Sequence, residues 1–122
     1  MLRFTAVAFL TLAAAAHADA PTPAENARIN YLLGVVASLH DAQFIRHGVA
    51  YDSSAAVNHL RAKLRAAGAR VKTAEFIRYC ASQSSVSGRP YEIRFPDGRV
   101  VPSADFLRQK LSEFDREQNR SD

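Results

Sequence analysis

The chain is poor in cysteine, because Cys80 is its single thiol. One thiol cannot form an intramolecular disulfide, whereas small domains with an oxidising destination normally pair their cysteines. The sequence therefore excludes a scaffold held together by disulfides. The neighbours of Cys80 in the chain are Phe76, Ile77 and Ala81. They favour a Cys80 that is buried on a helix as a small apolar side chain. An intermolecular disulfide and a reactive thiol are the alternative interpretations.

The chain also lacks an apolar run long enough to span a membrane. Residues 4–16 carry no charge, but as a helix they would reach only about 20 Å, short of the ~30 Å of a hydrocarbon core. This run follows Arg3 and precedes the small residues Ala16 and Ala18, which is the pattern of a secretory signal peptide. We therefore expect residues 1–18 to be a signal peptide cleaved after Ala18. The mature chain, residues 19–122, is expected to have no transmembrane segment.

Acidic side chains are missing from residues 53–74, where the basic side chains are Arg61, Lys63, Arg65, Arg70 and Lys72. A charge run of this kind usually forms the solvated face of a helix. The alternative is a docking patch for phosphate, an anionic surface or an acidic partner. The formal net charge of the whole chain, +4, is mild, and we expect no nucleic-acid partner.

Motifs of catalysis and metal binding are absent from the sequence. His40, His47 and His59 are scattered, without an HExxH motif, so we expect no metal site. No Gly-x-Ser-x-Gly elbow surrounds a serine, and no cofactor-binding motif is present. A non-enzymatic protein is therefore favoured. The alternative is a small envelope hydrolase or thiol enzyme that uses Cys80 with His59, or a loop serine.

The first segment of the mature chain has apolar residues at helical spacing. Thr22 is predicted to cap a helix over residues 23–39, with Pro23 at its first position and Glu25 completing a Thr-x-x-Glu capping box. Gly34 lies inside this pattern and is interpreted as a close packing approach. The predicted inward stripe consists of Ile29, Leu32, Leu33, Val36 and Leu39.

Two more helices are predicted in the middle of the chain. The first is capped at Asp52 or Ser53 and ends at Gly68. The other begins at Thr73. The apolar side chains expected to face the core are Ala56, Val57, Leu60 and Leu64 on the former, and Phe76, Ile77 and Cys80 on the latter.

Turn signals predict one or two β-hairpins. The first is a His47-Gly48 turn between two apolar runs, and the second joins the alternating strand 91–95 to residues 99–101 through Pro96-Asp97-Gly98. A last helix, capped by Ser103, is expected to fray past residue 117.

The predicted fold class is α+β, a small single domain with about four helices and one or two short β-hairpins. Its ordered core is expected to span about residues 23–117.

The loop Ser82–Arg89 is serine-rich and is expected to be exposed. Its consecutive N–H groups beside Arg89 would suit an anion. The sequence predicts a non-enzymatic binding module that uses this loop and the adjoining hairpin to bind an envelope protein or a small ligand. It is expected to be a monomer or a weak homo-oligomer. The candidate binding residues are Ser82, Ser84, Ser85, Ser87, Gly88, Arg89 and Tyr91.

Five segments carry a resemblance to a known family, and they are residues 25–33, 44–48, 59–64, 73–77 and 81–93. Together they resemble the YfeK-like family, small secreted proteins of Gram-negative bacteria built around one domain of unknown function. The resemblance implies an envelope location and a shared fold, and we expect the mature protein in the periplasm. It implies no activity and supplies no catalytic residues.

The chain departs from the family pattern at two points. His47-Gly48 stands where the family is expected to have Asn-Gly. One residue fewer separates Glu75 from the pair Phe76-Ile77, which predicts a third helix that begins in a shifted register.

Overall fold

The computed structural model describes residues 21–68 and 70–121; the predicted signal peptide, residues 1–18, lies outside them. In chain order the elements are α1 (Pro23–Ser38), β1 (Gln43–Arg46), β2 (Val49–Tyr51), α2 (Ser53–Ala67), α3 (Thr73–Glu75, continued by a π-helical turn Phe76–Cys80), β3 (Glu92–Arg94), β4 (Val100–Pro102) and α4 (Ser103–Arg120). The predicted α+β class, with four helices in a small single domain, is confirmed.

The strands form one antiparallel sheet in the order β2-β1-β3-β4. The predicted hairpins are therefore both present, and they are joined by pairing of β1 with β3, where Phe44 lies opposite Ile93. Phe44 also lies opposite Tyr51 in β2, so these three side chains share one face of the sheet. This face packs towards the helices, because Ile93 is buried.

Both tight turns have the backbone that their residues predict. His47 and Gly48 have φ values of 52° and 73°, the left-handed conformation that a two-residue hairpin turn requires at both positions. Gly98 has φ 88° and donates its N–H to the carbonyl of Phe95 at 2.9 Å. Each turn thus sets the register of its own hairpin.

The hydrophobic core lies between the helices and extends to the sheet. Helix α1 packs against α2 and α4, and the π-helical turn contacts α2 and α4. Cys80 is only 2% exposed, so the predicted buried thiol is confirmed. The buried cluster consists of Ile29, Leu32, Leu33, Val36, Val57, Leu60, Val71, Phe76, Ile77, Cys80, Ala81 and Leu107.

Two of the predicted N-caps are present. The Oγ1 atom of Thr22 accepts the N–H of Glu25 at 3.2 Å, and Oδ1 of Asp52 accepts the N–H of Ala55 at 2.8 Å. The capping-box prediction for Glu25 is wrong, because its carboxylate accepts from Thr73 instead.

Two other local predictions need correction. Ser103 is the first residue of α4 rather than its cap, which is Pro102, and its N–H donates to the carbonyl of Tyr91 at 2.9 Å. Gly34 is exposed and a Cβ there would meet no atom within 4 Å, so it marks no close approach. Helix α4 runs to Arg120.

Candidate functional site

A pocket of about 270 Å³ lies between α2 and the helix-facing side of the sheet. Strand β1 and the end of β2 form one wall, and α2 forms the other. The lining is completed by Ala81, Tyr91, Glu92 and Ser103. Much of the lining is apolar, contributed by Phe44, Ile45, Ala55, Ala56, Leu60 and Ala81. A mostly apolar cleft with a few convergent polar groups is the usual form of a small-molecule site.

The polar part of the lining centres on three side chains, which we call the Arg46–His59–Tyr91 cluster. Nη1 of Arg46 lies 2.7 Å from Nδ1 of His59, and Nε2 of His59 lies 3.0 Å from the Tyr91 hydroxyl. Arg46 also donates from Nη2 to the Tyr51 hydroxyl at 3.2 Å. Strand β1, helix α2 and the residue before β3 each contribute one member of this cluster.

The contacts of His59 favour a neutral imidazole ring. Nη1 of Arg46 lies 2.7 Å from Nδ1 and 3.2 Å from Nε2 of His59. A guanidinium has only donors, so a ring nitrogen that bonds with it must accept, which requires a neutral ring. Desolvation by burial, followed by the positive charges of Arg46 and Lys63, lowers the pKa of His59 below its ordinary value of 6.5. Hydrogen bonding and electrostatics thus agree on a neutral imidazole.

Lys63 extends the cluster by one helical turn from His59. Its Nζ donates to the Tyr91 hydroxyl at 3.1 Å and to the carbonyl of Gln83 at 3.0 Å. The second bond connects the pocket to the Ser82–Arg89 loop. Among the described residues the cations in ion pairs are Arg28, Arg108 and Lys110, so neither Arg46 nor Lys63 has a carboxylate partner there.

Cys80 is not arranged as a nucleophile. Burial raises the pKa of its thiol above the ordinary value, which favours the unreactive protonated form at neutral pH. Both ring nitrogens of His59 are engaged by Arg46 and Tyr91, so the imidazole is not positioned as a base for Cys80. The geometry therefore offers no support for the thiol-enzyme alternative.

Two serines of the predicted site, Ser82 and Ser84, form hydrogen bonds that hold the loop together. Ser84 is only 4% exposed, and its Oγ accepts the N–H groups of Val86 at 3.2 Å and Ser87 at 3.3 Å. The same Oγ lies 2.8 Å from Nε2 of His47, which connects the loop to the first hairpin turn. The hydroxyl of Ser82 donates to the carbonyl of Ile77.

The remaining predicted residues of the loop face solvent. Ser85, Ser87, Gly88 and Arg89 are exposed. Several backbone donors are already engaged inside the loop, since Gly88 donates to the carbonyl of Ser84 at 2.9 Å and Arg89 donates to the Ser87 hydroxyl at 3.2 Å. What these residues offer a partner is therefore mainly side chains. Tyr91 is buried against the pocket.

The sequence by itself does not identify three residues of the site, which are Arg46, Tyr51 and Lys63. A weak signal was available, because His59 and Lys63 are four residues apart on one helix face and Arg46 shares a strand face with Phe44. Neither pattern by itself shows that the helix face meets the strand.

The described ranges contain neither a membrane-spanning helix nor a cluster of metal ligands. Across residues 21–68 and 70–121, no helix has the length and apolar character to cross a membrane. In the same ranges, no three His, Cys, Asp or Glu side chains come together as a set of metal ligands.

Comparison with known proteins supports the resemblance seen in the sequence. Over 83 residues the chain is 46% identical to "Uncharacterized protein YfeK" of Salmonella typhimurium, and the match covers 67% of each chain. No solved structure matches the chain. A family model described as "Family of unknown function (DUF5329)" matches residues 23–115, and because this is more than half of the chain, the protein belongs to that family.

Proposed function

We propose that this protein is a non-enzymatic binding protein and that it holds a small ligand in the pocket between α2 and the sheet. The observation that carries the proposal is Arg46, a partly buried cation without a carboxylate partner in the described chain, at the wall of a mostly apolar cavity of about 270 Å³. Its partners there, His59 and the Tyr51 hydroxyl, are neutral, and a partly buried cation is stabilised further when an anion pairs with it.

The Ser82–Arg89 loop borders this site rather than forming it. Its carbonyl at Gln83 accepts from Lys63, and Lys63 donates in turn to Tyr91 at the pocket wall. Tyr91 thus belongs both to the binding residues expected from the sequence and to the pocket.

A neutral apolar probe tests whether the pocket takes a ligand. We would add 4-phenylbutan-1-ol to the ¹⁵N-labelled protein and follow amide shifts by NMR. Ala55→Leu adds volume where α2 lines the pocket, and Ala62→Leu is the matched control, since Ala62 is an exposed residue of the same helix. Shifts at pocket residues are expected in the native protein and in the control, and they should weaken in Ala55→Leu. Equal shifts in both variants, or none in the native protein, would refute this site.

The cellular location is part of the proposal. The basic start, the apolar run 4–16 and the small residues Ala16 and Ala18 support export to the periplasm with cleavage after Ala18. Fractionation of a Gram-negative host, followed by intact mass measurement, tests this. A periplasmic chain that begins at Asp19 is expected, and a cytoplasmic chain that retains Met1 would contradict it.

A further inference from the structure

We propose that the ligand of this pocket is a small amphiphile with an apolar body and one carboxylate, and that the carboxylate pairs with Arg46. This inference rests on the proposed function, because it concerns the same cavity. It goes further by naming the chemistry of the ligand.

The size of the cavity limits the apolar body. A cavity of about 150 Å³ lined by apolar side chains holds one benzene molecule, so the 270 Å³ pocket holds a body of roughly ring-plus-chain size. Phe44, Leu60 and the alanines of α2 offer this body walls without hydrogen-bonding groups. Burial of its apolar surface therefore supplies the main favourable free energy of binding.

The charge of the pocket selects the head group. Arg46 lines the pocket as a cation, and Lys63 adds a second positive charge behind Tyr91. Glu92 also lines the pocket, but it is exposed and has no ion pair with Arg46. An amine would be repelled by the two cations, and an alcohol would leave Arg46 without a counter-charge. An anionic head group is attracted by both cations and gives Arg46 a counter-charge.

The single guanidinium favours a carboxylate over a phosphate. Arg46 directs one N–H of Nη1 to His59 and one N–H of Nη2 to the Tyr51 hydroxyl. Its remaining N–H donors lie in the same plane, and a pair of them on neighbouring nitrogens forms a fork that matches the two oxygens of one carboxylate. Lys63 is not part of the lining, and its Nζ is engaged by Gln83 and Tyr91. A phosphate group would bring a larger charge to a lining that has one guanidinium, the carboxylate of Glu92 and otherwise mainly apolar or neutral polar groups.

A matched set of probes tests the head group. The compounds 4-phenylbutanoate, 4-phenylbutan-1-ol and 4-phenylbutan-1-amine share one apolar body and differ in charge. Dissociation constants would be measured by NMR titration at pH 7.5 in low salt. We expect the acid to bind at least about ten-fold more tightly than the alcohol and the amine to bind most weakly.

Variants of the sheet assign this preference to Arg46. Arg46→Gln is expected to abolish the advantage of the acid over the alcohol. Arg94→Gln is the matched control, because it removes the same charge from an exposed position of β3 and should leave the advantage intact. Arg46→Lys keeps the charge without the fork and is expected to retain part of the advantage, so it carries the test if Arg46→Gln does not fold.

The outcomes separate the two proposals. Equal binding of acid and alcohol in the native protein would overturn the carboxylate inference and leave the pocket as a binding site. An equal loss in Arg46→Gln and Arg94→Gln would also overturn it, because the preference would then come from the overall charge. No binding of any probe would overturn the proposed function and this inference with it.

Discussion

The carboxylate of Glu25 accepts hydrogen bonds from both donors of Thr73, 48 residues further along the chain. Its Oε2 lies 2.8 Å from the backbone nitrogen of Thr73, which is the first residue of α3. The cap residue of α3, Lys72, makes no side-chain hydrogen bond to the helix. The first turn of α1 therefore caps α3 from outside, and a single carboxylate connects the two helix N-termini.

Removal of this cap is expected to destabilise the whole domain. Because a charged acceptor serves two donors, Glu25→Ala should lower the free energy of unfolding by roughly 1–3 kcal/mol, measured by urea denaturation at pH 7. Glu75→Ala is the matched control, since Glu75 is an exposed acidic residue of α3, and it should cost much less. Equal losses in both variants would show that Glu25 contributes only through general charge.

The contact between Glu25 and Thr73 also predicts that the stability of the domain falls at acidic pH. The hydrogen bonds from Thr73 lower the pKa of Glu25 below its ordinary value of 4.5. The contribution of Glu25 to stability is thus present above pH 4.5 and is lost as the pH falls through the lowered folded-state pKa. The stability difference between the native protein and Glu25→Ala should shrink over that acidic range. A difference that stays constant there would contradict the assignment.

His59 predicts a second pH effect, at higher pH. Burial and the charges of Arg46 and Lys63 lower its pKa from 6.5, so the unfolded chain takes up a proton at a higher pH than the folded one. Stability should be complete above pH 6.5 and decline as the pH falls towards the lowered folded-state pKa. The groups around the ring are Arg46 on β1, Lys63 on α2 and Tyr91 before β3, and none of them is a carboxylate that could offset the protonated form.

A substitution isolates this effect. His59→Gln keeps an acceptor for Arg46 and a donor for Tyr91 but does not titrate, so it should flatten the decline just below pH 6.5 in urea denaturation series. His40→Gln, at an exposed histidine, should leave the decline unchanged. The assignment fails if both variants retain the full slope.

The buried thiol of Cys80 is expected to react slowly with thiol reagents. Because Cys80 is 2% exposed and burial raises its pKa, a thiol reagent such as DTNB should react in the native state only as fast as the protein opens, and immediately in urea. A Cys80→Ala chain carrying Ser112→Cys provides an exposed thiol on α4 as a fast-reacting control. Rapid reaction of the native protein would restore the reactive-thiol alternative.

Ser84 is expected to hold the shape of its loop. Its Oγ accepts two backbone N–H groups and contacts His47, so Ser84→Ala should cost roughly 1–2 kcal/mol of stability. Hydrogen exchange of the Val86 and Ser87 amides should also become faster than in the native protein. Ser85→Ala, at an exposed neighbour, should change neither. Unchanged exchange in Ser84→Ala would show that the loop is held by other contacts.

Short-range signals were sufficient to predict much of the fold. The caps at Thr22 and Asp52, the turn at His47-Gly48 and the left-handed Gly98 each depend on contacts within about four residues. Their conformations follow from local sterics and local hydrogen bonds, which the residue types reveal directly. The α+β class could therefore be predicted without knowing how the pieces meet.

The contacts that make the site join residues that lie far apart in the chain. Pairing of β1 with β3 joins segments about fifty residues apart, and it turns two hairpins into one sheet with a face for α2. Only then do Arg46, His59 and Tyr91 meet. Their short hydrogen bonds and the neutral imidazole are products of that packing, as is the redirected carboxylate of Glu25. A polar side chain bonds with whichever partner the fold brings within reach, and that choice depends on long-range packing rather than on its neighbours in the chain.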